Sequence, residues 1–228
     1  MLSLADQWGI PKTGVFGLYD LIGIDLMSDV VSSMRQILPE KDDFQKVGTD
    51  PDLITSLISA GYTGQKGLGG FYTENPAGRQ VRELSENDKS DIEWRNINPL
   101  PEIAKKAAKA QSEQEEALLV LVQDNSKYGE FARSVLAHIF CYAGQLLGTI
   151  TTNPQDIDDA MKLGFNWQRG PFEMIDSIGF ENLNRLIRDA GLKMPSALQS
   201  GKPFYKVKES TVSVRDSDRG YVPISLPE

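Results

Sequence analysis

Two stretches of this sequence share one pattern of glycine, phenylalanine, aspartate and isoleucine at identical spacing. Residues 14–23 read Gly-Val-Phe-Gly-Leu-Tyr-Asp-Leu-Ile-Gly, and residues 170–179 read Gly-Pro-Phe-Glu-Met-Ile-Asp-Ser-Ile-Gly. Each stretch is followed by a segment that closes on Phe-Tyr, at residues 71–72 and 204–205. Repetition of this kind predicts a tandem duplication of one structural unit, and it limits the fold to two related halves.

The hydrophobic pattern in both halves is typical of helices. Apolar side chains recur every three or four residues in segments 26–37 and 131–146. The Asn-Pro-Gln-Asp sequence of residues 153–156 is a strong helix start, because asparagine can cap the helix and proline suits its first position. We therefore predict an all-α fold with minor extended segments.

The positions of proline, glycine and polar residues suggest the domain boundaries. We expect a first helical domain at residues 1–73, truncated at its N-terminus, and a second helical domain at residues 102–206. Residues 74–101 are predicted to be a linker with a short strand near Val81. Residues 207–228 are predicted to be a tail, either a small hairpin or an ordered linker.

Composition excludes several classes of function. The chain has 228 residues and a formal net charge of −8, which argues against binding to nucleic acid or to an anionic membrane. It contains no apolar run near the roughly 20 residues that a membrane-spanning helix needs. It also lacks a basic leader with a cleavage site, so we expect a cytoplasmic protein.

Few side chains are candidates for catalysis or metal binding. The one histidine, His138, is predicted to lie in the core, and the one cysteine, Cys141, to be an inert buried thiol. Together they supply too few ligands for a zinc site. We therefore predict no catalytic, cofactor-binding or metal-binding residue in this chain.

The remaining acidic residues have structural interpretations. Asp20 and Asp176 are expected to accept hydrogen bonds from backbone amides, with Phe16 and Phe172 buried beside them. Asp156, Asp158 and Asp159 are interpreted as acids that complement the dipole of one helix start.

A glycine-rich segment at residues 61–70 invites comparison with phosphate-binding loops. It lacks the Gly-Lys-Ser/Thr ending of a Walker loop, and it follows a predicted helix rather than a buried strand. The favoured interpretation is a tight turn with positive φ angles. Close approach of its backbone to a partner domain or a ligand remains the alternative.

Three segments resemble the C-terminal domain of 3-hydroxyacyl-CoA dehydrogenases. They are residues 156–164, which read Asp-Ile-Asp-Asp-Ala-Met-Lys-Leu-Gly, residues 170–176, and the glycine-rich residues 64–72. The resemblance implies two tandem copies of a helical domain similar to the C-terminal domain of 6-phosphogluconate dehydrogenase. It is closest to multienzymes of bacterial fatty-acid β-oxidation, some of which carry a fused enoyl-CoA hydratase domain.

The resemblance implies a fragment of an NAD-dependent oxidoreductase that acts on 3-hydroxyacyl-CoA. The NAD-binding domain, with its His-Glu catalytic pair, would lie outside this chain, so the isolated chain is expected to be inactive. The helical domains would supply the substrate side and a homodimer contact, with Thr13, Gly14 and Val15 facing the acyl-CoA. Arg133 stands where the family has a substrate-facing asparagine, which argues against a second substrate site. The alternative is a non-catalytic helical scaffold that retains the family fold.

Overall fold

The chain divides into two compact units, Thr13–Pro99 and a second unit that contains the described residues from Leu100 onward. The computed structural model describes residues 11, 13–48, 51–76, 78–83, 93–112, 116–209 and 211–224. Within these residues, every helix is too short or too polar to cross a membrane.

Where the structure describes it, the first unit contains four helices followed by three strands. The helices are α1 (Gly14–Ile22), α2 (Ile24–Ile37), α3 (Phe44–Val47) and α4 (Asp52–Ser59). The strands are β1 (Tyr72–Asn75), β2 (Gly78–Glu83) and β3 (Glu93–Asn96). They form an antiparallel sheet in the order β1-β2-β3, in which Tyr72 pairs with Val81.

Glycines set the path of the first unit. Gly23 separates α1 from α2. Its φ of 118° is one that a residue with a Cβ rarely adopts. In the glycine-rich turn, Gly61, Gly64 and Gly69 also have positive φ angles, and Gly64 pairs with Gly69 across the turn. The predicted tight turn with positive φ angles is therefore confirmed.

The described part of the second unit contains five helices, a short 3₁₀ turn and three strands. The helices are α5 (Glu102–Ser112), α6 (Ala117–Gln123), α7 (Lys127–Leu146), α8 (Pro154–Phe165) and α9 (Pro171–Asp189). The 3₁₀ turn is Ser196–Leu198, and the strands are β4 (Tyr205–Lys208), β5 (Thr211–Asp216) and β6 (Gly220–Pro223). These strands form an antiparallel sheet in the order β4-β5-β6, in which Tyr205 pairs with Val214.

Local sequence explains where these helices begin and break. Asn153 accepts a hydrogen bond from the Gln155 amide at 3.0 Å, and Pro154 occupies the first position of α8, as predicted. The Ser126 side chain accepts a bond from the Gly129 amide and so caps α7. Within α9, Gly179 has a φ of 79° and interrupts the helix, at the position that Gly23 holds in the first unit.

The core of the second unit is built around α7, the longest helix. Its buried face carries Ala132, Leu136 and Phe140, each with no exposed surface, and these pack in one cluster with Phe172 and Leu186 of α9. This face is shifted by one residue from the apolar stripe that the spacing within residues 131–146 predicted. That predicted stripe begins at Phe131, whose side chain is therefore 44% exposed.

The prediction of an all-α fold was wrong. Two three-stranded antiparallel sheets follow the helices, one in each unit. The first sheet falls largely within residues 74–101 and the second largely within residues 207–228. The strand expected near Val81 is present as β2. The hairpin alternative for residues 207–228 is present as β5 and β6. The strands β1, β3 and β4 were missed because each has four residues and no fully buried side chain, so its alternation of apolar and polar residues is weak.

Candidate functional site

The turn that leads into α1, predicted to face substrate, lies on the surface of the first unit. Thr13 is exposed, Gly14 has a φ of 65°, and the Val15 side chain is 66% exposed. Glycine adopts this φ at little cost, which lets the chain enter α1 along this path. The segment presents a hydroxyl group, accessible backbone and a small apolar side chain.

The sequence interpretation missed a cation, Arg79 of β2, that lies beside this turn. The Arg79 guanidinium stacks on the Tyr72 ring at 4.2 Å from the ring centroid. A Cβ placed on Gly17, in the first turn of α1, would lie 3.9 Å from Arg79 Nη2 and 3.2 Å from Thr13 Cγ2. Arg79 was missed because it falls in a segment that was interpreted as a linker. The pairing of β2 with β1 brings it close to Thr13 and Gly17.

Asp20 ties α1 to the start of the first sheet. Its carboxylate oxygens accept hydrogen bonds from the backbone amides of Phe71 and Tyr72, at 2.7 and 2.8 Å. Asp20 is 5% exposed, and burial raises the pKa of its carboxyl group while the two amide hydrogen bonds oppose that rise. A Cβ on Gly70 would lie 1.9 Å from an Asp20 oxygen, so only glycine fits there.

Asp176 makes the same connection in the second unit. It accepts hydrogen bonds from the amides of Phe204 and Tyr205, at 2.9 and 2.7 Å. Burial raises the pKa of its carboxyl group as well. We call each arrangement of one carboxylate and two amides a carboxylate latch. The prediction that both aspartates bond to backbone is confirmed.

An aromatic pair accompanies each latch. The rings of Phe16 and Phe71 are 4.7 Å apart, and those of Phe172 and Phe204 are 4.6 Å apart, both tilted. Phe172 is fully buried, as predicted. Phe16 is only half-buried, so that part of the prediction was wrong. Phe16 packs against the small core of the first unit but is not enclosed by it.

Asp158 was misinterpreted as an acid that complements the start of its own helix. Asp156 lies in the first turn of α8, but Asp158 is fully buried and caps the next helix. Its oxygens accept hydrogen bonds from the amides of Phe172 and Glu173, at 2.9 and 3.1 Å, and from the Tyr205 hydroxyl at 2.6 Å. Asp158 therefore complements the positive end of α9 and joins it to α8 and β4.

The surroundings of Asp158 are closed and charged. Burial raises the pKa of its carboxyl group to about 7, although Tyr205 and the two amides oppose that rise. A Cβ on Gly170 would lie 2.3 Å from the Asp158 backbone, which excludes larger residues. Nearby, Lys162 pairs with Asp159 at 2.9 Å and with Glu173 at 2.8 Å. This network holds three elements together and leaves no opening for a reactant at Asp158.

The histidine and the cysteine lie on different sides of α7. His138 is exposed, with its Nδ1 2.8 Å from the Ser134 carbonyl oxygen, so the predicted core histidine was wrong. The shifted register of α7 points His138 away from the core. Cys141 is 5% exposed, which confirms the predicted buried thiol. Among the residues that the structure describes, no three His, Cys, Asp or Glu side chains are grouped to hold a metal ion.

Comparison with known proteins identifies the family. The family described as 3-hydroxyacyl-CoA dehydrogenase, C-terminal domain, matches residues 3–74 and 129–215, more than half of the chain. A Rickettsia prowazekii protein named as a fatty acid oxidation complex trifunctional enzyme is 32% identical over 203 residues. A Bacillus subtilis protein named as a 3-hydroxyacyl-CoA dehydrogenase is 28% identical over 207 residues. No solved structure gives a significant match.

These relatives are much longer than the chain. The alignments cover 87% and 89% of this chain but only 26% and 25% of the Rickettsia and Bacillus proteins. The chain therefore spans about a quarter of the length of the relatives that it matches. Both stretches of the family match include a carboxylate latch, Asp20 in the first and Asp176 in the second. The chain belongs to the 3-hydroxyacyl-CoA dehydrogenase C-terminal domain family.

Proposed function

We propose that this chain is the substrate-side part of a longer NAD-dependent 3-hydroxyacyl-CoA dehydrogenase of fatty-acid oxidation. The observation that carries the proposal is the family match over two stretches, together with relatives named as dehydrogenase and trifunctional enzyme. The reaction moves a hydride from C3 of the substrate to NAD and a proton from its hydroxyl group to a base. A fused enoyl-CoA hydratase activity would belong to the same longer protein.

The two units are proposed to be tandem copies of one domain. Both contain a glycine break after the repeated pattern, a carboxylate latch and an aromatic pair. Both then form a three-stranded antiparallel sheet with the same strand order. In both, the arginine at the matching position of the middle strand donates its backbone amide to the latch phenylalanine: Arg82 to Phe71 and Arg215 to Phe204.

Thr13, Gly14 and Val15 are proposed to contact the acyl-CoA. Gly14 is half-buried and has no Cβ, so a thioester can approach its backbone closely, and the exposed Val15 offers an apolar contact to an acyl chain. Arg79, beside Thr13, adds a positive charge that suits the phosphates of coenzyme A. The proposed first copy therefore carries the substrate contacts, whereas Arg133, in place of the asparagine, argues against a substrate site in the second copy.

NAD is proposed to bind a part of the longer protein beyond the described residues. The glycine-rich turn follows α4 and leads into an antiparallel strand, so it does not fit a dinucleotide, which needs a parallel strand, a turn and a helix. The homodimer contact through helical domains and the cytoplasmic location are further parts of the proposal. A non-catalytic scaffold with the same fold is the competing function.

Thr13→Trp in the full-length enzyme tests the substrate contact. The bulky side chain should raise KM or lower kcat, while the melting temperature stays near wild type because Thr13 is exposed. Thr211→Trp, at an exposed position of β5, is the matched control and should leave the kinetics unchanged. Unchanged kinetics for Thr13→Trp would place the acyl-CoA elsewhere.

Comparing the dehydrogenase activity of the full-length protein with that of the isolated chain distinguishes an enzyme from a scaffold. With NAD and 3-hydroxyacyl-CoA, the full-length protein should form NADH and the isolated chain should not. A full-length protein without activity would favour the scaffold. Activity of the purified chain itself would overturn the proposal that NAD binding and catalysis require another part of the longer protein.

A further inference from the structure

The second unit contains an open cavity of about 210 Å³ beside the break in α9. Its floor consists of buried apolar side chains, and its mouth consists of exposed residues. The floor is formed by Ile175, Leu183, Leu198 and Phe204, and the mouth by Phe180, Gly201, Lys202 and Pro203. This arrangement offers a small molecule an apolar interior with direct access from solvent.

The break in α9 shapes the mouth of this cavity. A Cβ placed on Gly179 would meet no atom within 4 Å, so the backbone at the break borders open space. The next residue, Phe180, is 36% exposed, and a Cβ on Gly201 would lie 3.2 Å from its Cε1 atom. The Phe180 ring therefore forms one side of the mouth instead of joining the core.

Two residues of the mouth have closely packed counterparts in the first unit. Counted from the glycines that open the repeated pattern, Phe180 corresponds to Ile24, which has no exposed surface. Counted from the two Phe-Tyr closings, Pro203 corresponds to Gly70, where an added Cβ would lie 1.9 Å from an Asp20 oxygen. The second unit thus carries a larger side chain at both positions, each at the mouth of the cavity.

Two charged side chains border the cavity, and they differ in their contacts. Both oxygens of Asp176 accept hydrogen bonds from the latch amides, at 2.9 and 2.7 Å, and the Arg215 guanidinium offsets its negative charge. Lys202 is exposed, and in the part of the chain that the structure describes its ammonium group pairs with no carboxylate. The mouth therefore offers a positive charge above an apolar floor.

The volume of the cavity limits the size of its ligand. A dry cavity of about 150 Å³ is large enough for benzene, and pockets for drug-sized molecules begin at about 300 Å³. The observed volume of about 210 Å³ lies between these values. It therefore suits a molecule of about ten non-hydrogen atoms.

We propose that this cavity binds a short amphiphilic carboxylate, with its apolar chain against Ile175, Leu183 and Leu198 and its carboxylate beside Lys202. Burial of the chain supplies the affinity, and the ammonium group selects a ligand with a negatively charged end. The occupant is a free acid of about eight carbons, because a longer chain would exceed the cavity. The inference concerns the second unit alone and does not depend on the proposed dehydrogenase function.

The probe is octanoate, titrated into the 228-residue chain and followed by isothermal calorimetry. Saturable binding with a Kd below about 1 mM is expected for a ligand of this size. Lys202→Ala should weaken binding by about tenfold, because it removes the positive charge at the mouth. Lys208→Ala, at an exposed position of β4 that does not line the cavity, is the matched control and should bind as wild type does.

The floor of the cavity is tested by a second variant and by the length of the ligand. Leu183→Trp places additional volume inside the cavity and should abolish binding, with circular dichroism used to show that the variant is folded. Chain length tests the same volume without a mutation. Affinity should rise from butanoate to octanoate and should not rise further for dodecanoate, because the additional carbons would lie outside the cavity.

Octylammonium tests the charge of the ligand, since it has the same chain and a positively charged end. It should bind more weakly than octanoate. The proposal is wrong if octanoate shows no saturable binding, if octylammonium binds more tightly, or if Lys202→Ala binds octanoate as tightly as wild type does. Unchanged binding by folded Leu183→Trp, or affinity that continues to rise up to dodecanoate, would also contradict it, because the ligand would then lie on an open surface.

Discussion

At the scale of single residues, carboxylates that are buried or half-buried connect elements that are distant in sequence. Asp20 and Phe71 are 51 positions apart, and Asp176 and Phe204 are 28 positions apart. Each carboxylate accepts hydrogen bonds from two backbone amides at the start of the first strand of its sheet. Hydrogen bonds to a charged acceptor are stronger than neutral ones, so each latch fixes the start of its sheet.

Replacing the latch aspartate of the second unit should therefore be costly. Asp176→Ala leaves the amides of Phe204 and Tyr205 without acceptors, and we expect it to lower the free energy of unfolding by about 2–4 kcal/mol. Urea unfolding followed by circular dichroism measures this change. Asp189→Ala, at an exposed position near the end of α9, should cost less than about 0.5 kcal/mol. Equal effects of the two variants would contradict a structural latch.

Asp158 should make stability depend on pH. Its pKa is raised from 3.8 to about 7 in the folded protein, so the folded state keeps a proton that the unfolded state releases. The free energy of unfolding should therefore fall as pH rises from about 4 to about 7. Asp158→Asn removes this contribution, so the stability difference between wild type and variant should decline across that window by a few kcal/mol at most.

Comparing the two proteins at each pH cancels the other titrations, including those of Asp20 and Asp176, whose pKa values are also raised. Urea unfolding at a series of pH values is the measurement. A stability difference that stays constant with pH, or rises with it, would show that the Asp158 carboxyl is ionised throughout.

At the scale of elements, turns and helix starts show what the sequence could and could not predict. The glycines of residues 61–70 correctly marked a tight turn, and Asn153 with Pro154 correctly marked the start of α8, because both are local steric and hydrogen-bonding effects. The sheets and the position of Arg79 depend on pairing between strands with weak patterns, which no local rule provides. Asp158 was misinterpreted because its partners lie in α9 and β4.

The aromatic pair of the second unit should contribute far more to the free energy of unfolding than an exposed ring on a neighbouring helix does. Phe172 has no exposed surface and packs on Phe204, whereas Phe165, at the end of α8, is 60% exposed. We expect Phe172→Ala to lower the free energy of unfolding by about 3–5 kcal/mol. Phe165→Ala is the control and should change it by less than about 1 kcal/mol. Thermal and urea unfolding of both variants measure the difference, and similar losses would place Phe172 outside the core.

At the scale of the whole molecule, the two units differ in how many apolar side chains they bury. The core cluster of the described first unit has four buried apolar side chains, whereas the cluster around α7 joins buried side chains from five helices. A unit with little buried apolar surface has little free energy to offset the conformational entropy of its chain. The first unit is therefore expected to open before the second.

Hydrogen exchange can test this order directly. Amides in the middle of α7 should exchange only through global unfolding of the second unit, whereas amides in the last two turns of α2 should exchange much faster. Val30 and Ile37 mark this exposed end of α2. Mass spectrometry of the intact chain after timed labelling resolves the two helices. Equal protection of both helices would show that the units unfold together.

The single thiol, that of Cys141, is a native reporter of opening in the second unit, so no mutation is needed. Cys141 lies on the buried side of α7 at 5% exposure, and the sequence contains one cysteine, so an alkylating reagent has a single target. Its modification rate under native conditions reports how often α7 leaves its neighbours, since a shielded thiol reacts only from an opened state. The rate of Cys141 modification by a chromophoric thiol reagent would thus measure how often the second unit opens, with no signal from the first unit.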